Sequence, residues 1–487
     1  GAAMSVEKPL PISLPAFTLL EEPELAFASG NPKARHLHPL MGLSRFGAFD
    51  QASYRHYSQD LRVAYVGPRS GAALVRDMRE SLRGPQRNTD NNSYAQAYPG
   101  FEKLFGVDLL SADKQAHVVW PEELYDLGQG DTVSERVRAA LHHALRRLEA
   151  ARAQFDVALV YFPDRWLPHL RTKEFDAHDE LKALGAQLGI STQVINDKSL
   201  KFGNWGARAW RLSVALYAKA GGTPWKLAPI EGIPEDTAYI GLAYAIRRSS
   251  DEAHYVTCCS QVFDMEGGGM QFIAFEANDA IADEAEARRN PFLSQADMRA
   301  VLTRSVRLYL EGHAGRVPRR LVIHKTTAFT ESELKGAQDA TQSIPEVECI
   351  EIGSSSAWRG VWMVEAPGKQ PSIQPARFPV PRGTLVMTSG NAALLWLAGN
   401  APSAVGGRDY FQGGKSIPKP IVLRRHMGRG PFELLASEAM ALAKMDWNND
   451  ALYDPLPVTI MYSQRLSRTI SNVPSLPAHS YPYRLFM

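Results

Sequence analysis

Cysteine is scarce. The 487-residue chain has three, with Cys258 and Cys259 adjacent and Cys349 apart. Three cannot build a disulfide framework, and no Cys/His spacing for a zinc site is present. A reducing, cytoplasmic setting is the expectation. Charge of one sign is also lacking: 54 Lys+Arg against 52 Asp+Glu leave a formal net charge of +2. Any attraction for nucleic acid must therefore be local. No apolar run approaches the ~20 residues that span a bilayer, and neither an internal repeat nor a low-complexity tract is found. What is present is an ordinary globular composition, 45% hydrophobic and 22% charged, which excludes a mostly disordered, collagen-like or simple coiled-coil chain. At roughly 150 residues per domain, the length predicts about three domains or two large ones.

Up to about Asp50 the chain is rich in proline and without long periodicity. Residues 1–55 are expected to lie as an extended segment over a larger body. Beyond them strands and helices alternate: a strand at 61–66, a helix at 72–82, and a helix after the Thr132-x-x-Glu135 capping box. A strand at 157–162, a helix at 176–188, a strand at 192–195 and a helix at 207–220, closed by Gly221-Gly222, follow. This order argues for βαβ units on a mainly parallel sheet. From Thr237 three successive strands (237–247, 254–263, 270–276) read as an antiparallel meander. A helix from Gln295, with Ser294 as N-cap, comes next. The class is α/β: a doubly wound domain over 56–225, then a mixed-sheet domain over 226–487.

Overall neutrality hides local excess. Between Asn196 and Lys226 stand six cations against Asp197, interleaved with Phe202, Trp205, Trp210, Tyr217 and Trp225. Residues 408–430 repeat the imbalance, and from Pro455 onward Arg465, Arg468 and Arg484 face no acid. Cations alternating with aromatics suit a phosphate backbone with bases stacked nearby. The plainer reading makes the rings core and the cations a solvated face. Lys198, Lys201, Asn204, Arg208 and Arg211 are the candidate backbone contacts.

Several motifs fall short. Asp409-x-x-x-x-Gly414-Lys415-Ser416 lacks the first P-loop glycine, and Pro418 and Pro420 oppose the helix that would hold the phosphate. Gly353-Ser354-Ser355-Ser356-Ala357 misses the last glycine of a nucleophile elbow. Gly267-Gly268-Gly269 reads as a turn.

One constellation fits phosphate chemistry. His178 and Lys182 lie four apart on one helix face. Gln193 is on the following strand, and Lys219 is in the last turn of the next helix. Two cations, a neutral donor and an imidazole suit a phosphate monoester. Taken singly each has a plainer reading; Lys219, for instance, offsets a helix dipole. Together they resemble the MID domain of Argonaute proteins, where an aromatic-or-His-x-x-x-Lys helix, a Gln and a Lys before Gly-Gly hold the guide's 5′-phosphate. Residues 189–195 and 212–225 resemble the family's MID–PIWI junction. His178 resembles the His-Lys variety of short prokaryotic Argonautes, and Ala215 stands where a second Lys is frequent. Further on, 240–243 resembles the first PIWI strand, 321–326 a later one and 457–466 the final helix.

The resemblance implies a Rossmann-like MID domain (56–225) and an RNase-H-like PIWI domain (226–487). PIWI slicing uses carboxylates that hold two divalent metals. The matching positions here are Ala243, Lys325 and Gln464, so no catalytic set and no slicing are expected, with Lys325 placing a cation at the metal position. Without room for N and PAZ domains, the chain resembles the short form, whose partner is a separate APAZ chain fused to a TIR, sirtuin-like or nuclease effector. The implied role is a guide-binding subunit in prokaryotic defence against plasmids or phage. RNA is the expected guide and single-stranded DNA the expected target, and target recognition activates the effector. Mg²⁺ is implied between the guide 5′-phosphate and the Met487 carboxylate; no organic cofactor and no membrane are. Two other readings stand beside this one. An active RNase-H-like nuclease would use Asp264, Glu266 or Glu276 and cut a guide-paired target with Mg²⁺ or Mn²⁺. An α/β enzyme acting on a phosphorylated metabolite would ignore oligonucleotides.

Overall fold

The computed structural model describes residues 16–87, 96–201, 205–248, 254–264, 271–281, 292–354, 357–411, 413, 416–449, 451–477 and 479–487. Within it, strands 254–264 and 271–281 are described by their backbone alone. Asn204, Glu266, Gly267 to Gly269 and Lys415 lie outside the described residues, as do the side chains of Lys201, Cys258, Cys259, Asp264 and Glu276.

Two sheets organise the chain. In the first every pairing is parallel. Asp60–Pro68 pairs with Asp108–Ser111 and His117–Trp120 on one side and with Val157–Phe162 on the other, and Ser191–Asn196 follows. All of Val157–Phe162 is buried, the continuous apolar run that a strand covered on both faces requires. Val157, Leu159 and Tyr161 join a core with helices Arg69–Arg83 and Trp205–Lys219. Ala158, Val160 and Phe162 face helices Val133–Ala150 and Ala177–Leu188. The Thr132 hydroxyl accepts from Glu135 N at 3.2 Å, and the reciprocal bond completes the capping box.

The second sheet has ten strands. Its centre is parallel: Thr237–Arg248, Arg320–Lys325 and Glu346–Ser354. The meander His254–Asp264 and Gln271–Ile281 extends one side antiparallel. Ile421–Met427, Ala392–Leu395 and Thr384–Ser389 extend the other. Short strands from the two ends of the chain, Thr18–Leu19 and Ser480–Pro482, form its edges.

The opening segment is not extended throughout. Pro39–Phe46 and Gln51–Tyr57 are helices. Proline at N1 lacks only an N–H that has no intrahelical partner anyway, and the His38 ring accepts from Leu40 N at 3.1 Å. Burial pushes the His38 imidazole down to about 3, which keeps it a neutral acceptor. Glu22 fastens the segment to the second sheet, its buried carboxylate accepting from Arg382 Nε at 3.0 Å and Lys444 Nζ at 3.2 Å. Helix Glu331–Ala340, with its own Thr330–Glu333 capping box, is an element the periodicity did not reveal.

Candidate anion pocket and nucleic-acid interface

Four elements build the pocket. Asp176 caps the helix Ala177–Leu188 by accepting from Asp179 N at 3.1 Å. That register puts His178 at the solvent edge and Lys182 one turn deeper. Lys182 is buried, and its Nζ donates to Thr192 O at 2.6 Å and Thr192 Oγ1 at 3.2 Å. Gln193, the next residue of Ser191–Asn196, accepts from Lys219 Nζ at 2.6 Å. Lys219 is buried at the end of Trp205–Lys219. There the chain turns back over the Tyr217 ring, and a Cβ on Gly222 would sit 2.3 Å from that ring. The four residues read from the sequence are thus brought together.

Sequence reasoning missed the fourth wall. Helix Val458–Asn472 brings Arg465 and Arg468 to the same place. It is tied to the first unit through Asp179, which accepts from Asn472 Nδ2 at 2.6 Å and Thr469 Oγ1 at 3.3 Å. Arg465 lies 3.7 Å from the Asp446 carboxylate, and its Nη1 is buried without a hydrogen-bond partner. The only available signal was the acid-free run after Pro455; which sheet face it would meet was not encoded locally.

Packing several cations together has a cost that the titration of the pocket displays. Burial, and then Arg465, lower Lys182 to about 7 against a hydrogen bond with Lys219 that raises it. Lys219 is held well below its ordinary range by burial and by Lys182 and Arg465. Desolvation, Lys182, Lys219, Arg468 and Arg465 push His178 down to about 3. Because His178 is exposed, this direction stands on the four cations more than on desolvation. Without an anion the charged form of both amines is therefore disfavoured. A doubly charged phosphate would restore it.

The aromatics of the basic stretch are another matter. Trp210, Tyr217 and Trp225 are 1%, 0% and 1% exposed, so these rings are core and offer no stacking platform. Lys198 and Arg211 are exposed, whereas the Arg208 guanidinium donates to the Lys198 carbonyl.

A second cavity, of about 280 Å³, collects all three positions singled out in the later part of the chain. Ala243, Lys325 and Gln464 line it with Leu242, Tyr244, Thr326, Thr327, Ser467 and Arg468. Close helix-on-strand contact creates the arrangement: a Cβ on Gly241 would lie 1.9 Å from Thr459 O. His324 Nδ1 meets Thr459 Oγ1 at 2.8 Å, and Ser467 Oγ donates to Tyr244 O at 2.7 Å. Lys325 corrects one expectation. Its ammonium does not stand free at a metal position but is buried at 2.6 Å from Glu333, among Tyr244, Phe292 and Phe329. Among the described residues no group of three His, Cys, Asp or Glu is placed to hold a metal, and no helix is long and apolar enough to cross a membrane.

Comparison with known proteins meets the same arrangement. No protein-family model matches the sequence. Protein argonaute of Cereibacter sphaeroides (strain ATCC 17025 / ATH 2.4.3) is 23% identical over 461 residues, covering 90% of this chain and 53% of that protein. Clostridium butyricum Argonaute, solved with a guide DNA and a 19-mer target DNA, superposes with a TM-score of 0.66 at 14% identity, over 97% of this chain and 55% of that one. The fold is that of Argonaute. Drosophila Piwi gives a TM-score of 0.59 at 13% identity, over 96% of this chain and 56% of that one. The parallel sheet is the Rossmann-like MID unit and the ten-stranded sheet the RNase-H-like PIWI unit of this Argonaute fold. The chain spans about half the length of these relatives.

Proposed function

We propose that the chain is the guide-binding MID–PIWI subunit of a prokaryotic defence complex. It takes the 5′-phosphate of a short guide, RNA in preference, and presents the guide to single-stranded target DNA. It does not slice, and it signals to an effector on a partner APAZ chain. The observation that carries this reading is the MID pocket. Two buried lysines face each other there, beside an arginine Nη1 with no partner. Such a concentration of donors, whose charged forms burial disfavours while the pocket is empty, is matched by an anion of high charge. Anchoring one end fixes register, and base pairing then supplies specificity, so the rest of the interface needs only to fit backbone shape. The APAZ partner, the defence role and the guide and target types rest on the resemblance to short Argonautes.

Met487 is buried, and the turn before it packs against Ala177–Leu188, Ser191–Asn196 and Trp205–Lys219. A Mg²⁺ between the Met487 carboxylate and the guide phosphate, oxygen ligands that suit a hard cation, rests on the resemblance to Argonautes. It would neutralise phosphate charge beside the lysines.

The test compares binding of 5′-phosphorylated and 5′-hydroxyl oligonucleotides to wild type and to His178→Ala/Lys182→Ala. Each lost charge-assisted contact costs about 1.5–3 kcal/mol, so the double variant should lose most of the 5′-phosphate preference while keeping salt-sensitive backbone binding. Thermal melts of both proteins separate lost binding from lost folding. Wild type that ignores the 5′ end would refute the reading. Cleavage of a paired target with Mg²⁺ or Mn²⁺ would refute the non-slicing part and return attention to Asp264, Glu266 and Glu276. Register already weighs against Asp264: it pairs with Ala238, whereas Ala243 pairs with Cys259, five residues along the strand.

A further inference from the structure

Next to the MID pocket lies a buried carboxylate that the phosphate contacts do not use. Asp446, 5% exposed, stands just past helix Phe432–Leu442. Its Oδ1 takes two hydrogen bonds, from the Tyr462 hydroxyl at 2.6 Å and from Asn448 N at 2.9 Å. Its Oδ2 is left to Arg465, whose Nη2 is 3.7 Å away. A second buried carboxyl, Asp454, accepts from Asn449 Nδ2 at 2.7 Å and is hydrogen-bonded to Asp446. Burial, then Asp446, push the Asp454 carboxyl up to about 8. Near neutral pH Asp454 therefore keeps its proton, and Asp446 carries the single negative charge of the pair.

This geometry compensates Arg465 without consuming its donors. A charge-assisted hydrogen bond would bring nitrogen and oxygen to about 2.7–2.9 Å. At 3.7 Å the two groups attract as charges, and Arg465 Nη1 stays buried with no hydrogen-bond partner. The guanidinium also lies over the Tyr462 ring, 5.1 Å from its centre, and the hydroxyl of that same tyrosine fixes Asp446. Lys182, Lys219 and His178 all feel the charge of this guanidinium. By its own field Asp446 would oppose a phosphate there; what it does favourably is hold the arginine.

Resting on the guide-binding reading, we propose that Asp446 is a positioning residue of the 5′-phosphate pocket: with Tyr462 it fixes the Arg465 guanidinium so that Nη1 donates to the phosphate. Asp446 itself does not touch the anion. An arginine held in advance loses little rotamer freedom on binding.

The experiment measures, with the whole chain, the ratio of Kd values for 5′-hydroxyl and 5′-phosphorylated oligonucleotides of one sequence. Arg465→Met should lower that ratio about tenfold, the worth of one charge-assisted contact. Asp446→Asn keeps an acceptor for the Tyr462 hydroxyl and Asn448 N but no longer attracts the guanidinium. It should lower the ratio about fivefold, although removing a negative charge would by field alone raise it. In the Arg465→Met background Asp446→Asn should lower the ratio no further, the coupling expected of directly interacting groups. Where Asp446→Asn fails to fold, Tyr462→Phe carries the test: it keeps the ring, removes the donor to Oδ1 and should lower the ratio about threefold. A ratio at or above that of wild type in these variants, or an equal loss with and without Arg465, refutes the positioning role while guide binding stands. So does an Arg465→Met protein with the wild-type ratio. Wild type with no 5′-phosphate preference would instead remove the guide reading itself.

Discussion

Binding of a 5′-phosphate should take up protons, and the depressed lysines set the direction. Lys182 falls from an ordinary 10.5 to about 7 in the anion-free pocket, a difference on the order of 5 kcal/mol. Lys219 falls well below its ordinary value as well. A dianion seated between them favours both ammonium forms, so each pKa rises on binding. Above pH 7 Lys182 is mostly neutral before binding and charged after it, which is an uptake of about one proton; Lys219 adds up to about one more. Affinity for the 5′-phosphorylated guide should thus fall about tenfold or more per pH unit between 7.5 and 8.5, the slope equalling the protons taken up. The phosphate's own second ionisation, near pH 6, is complete before this window opens. The sign is fixed by the depressed values: groups that must gain protons bind better at lower pH.

Titration calorimetry at pH 8 in buffers of different ionisation enthalpy reads the uptake directly. Anisotropy from pH 6.5 to 9 reads the slope, with a 5′-hydroxyl strand as the reference that removes every other titration. Equal pH dependence for the two strands, together with a buffer-independent enthalpy, would refute the picture of two partly discharged lysines.

Other consequences concern the frame around the pocket. Glu333→Ala should leave the Lys325 ammonium buried without a counter-ion and cost about 3–5 kcal/mol in urea unfolding; Lys325→Met/Glu333→Leu should recover most of it. Gly241→Ala forces helix Val458–Asn472 off the PIWI sheet, since no side chain can occupy a point 1.9 Å from Thr459 O. It should lower the melting temperature and, by displacing Arg465 and Arg468, weaken 5′-phosphate binding as well. Thr132→Ala removes one side of a capping box remote from both sites and should cost about 1 kcal/mol with no change in guide preference.

Much of the frame was legible because its causes are local. The strand Val157–Phe162 follows from six consecutive apolar residues, and the helix before it from Thr132, Glu135 and a single apolar face. His178, Lys182, Gln193 and Lys219 could be grouped because two are a helical turn apart, Lys219 precedes Gly221-Gly222, and the set resembles the Argonaute MID pocket. The Lys325–Glu333 pair was not legible. Read alone, a lysine on a strand gives no hint that a helix eight residues on will return a glutamate to it. Helix Glu331–Ala340 escaped for a related reason: its buried positions include Glu333, Gly336 and Ala337, which carry little hydrophobic period. Trp210 and Tyr217 misled in the opposite sense, since helical spacing does not distinguish an aromatic that faces the core from one that faces a base.

The least local feature is also the one that joins the two sites. Helix Val458–Asn472 carries Arg465 towards the MID lysines and Gln464, Ser467 and Arg468 along the PIWI cavity. Asp179, buried beside His178 in sequence, accepts hydrogen bonds from the helix's last turn. Gly241 and His324 hold its first turn against the PIWI sheet. A rigid helix of 15 residues spans about 22 Å, so neither end can shift without carrying the arginines with it. The spacing between the MID pocket and the PIWI cavity is therefore set by one element clamped at both ends.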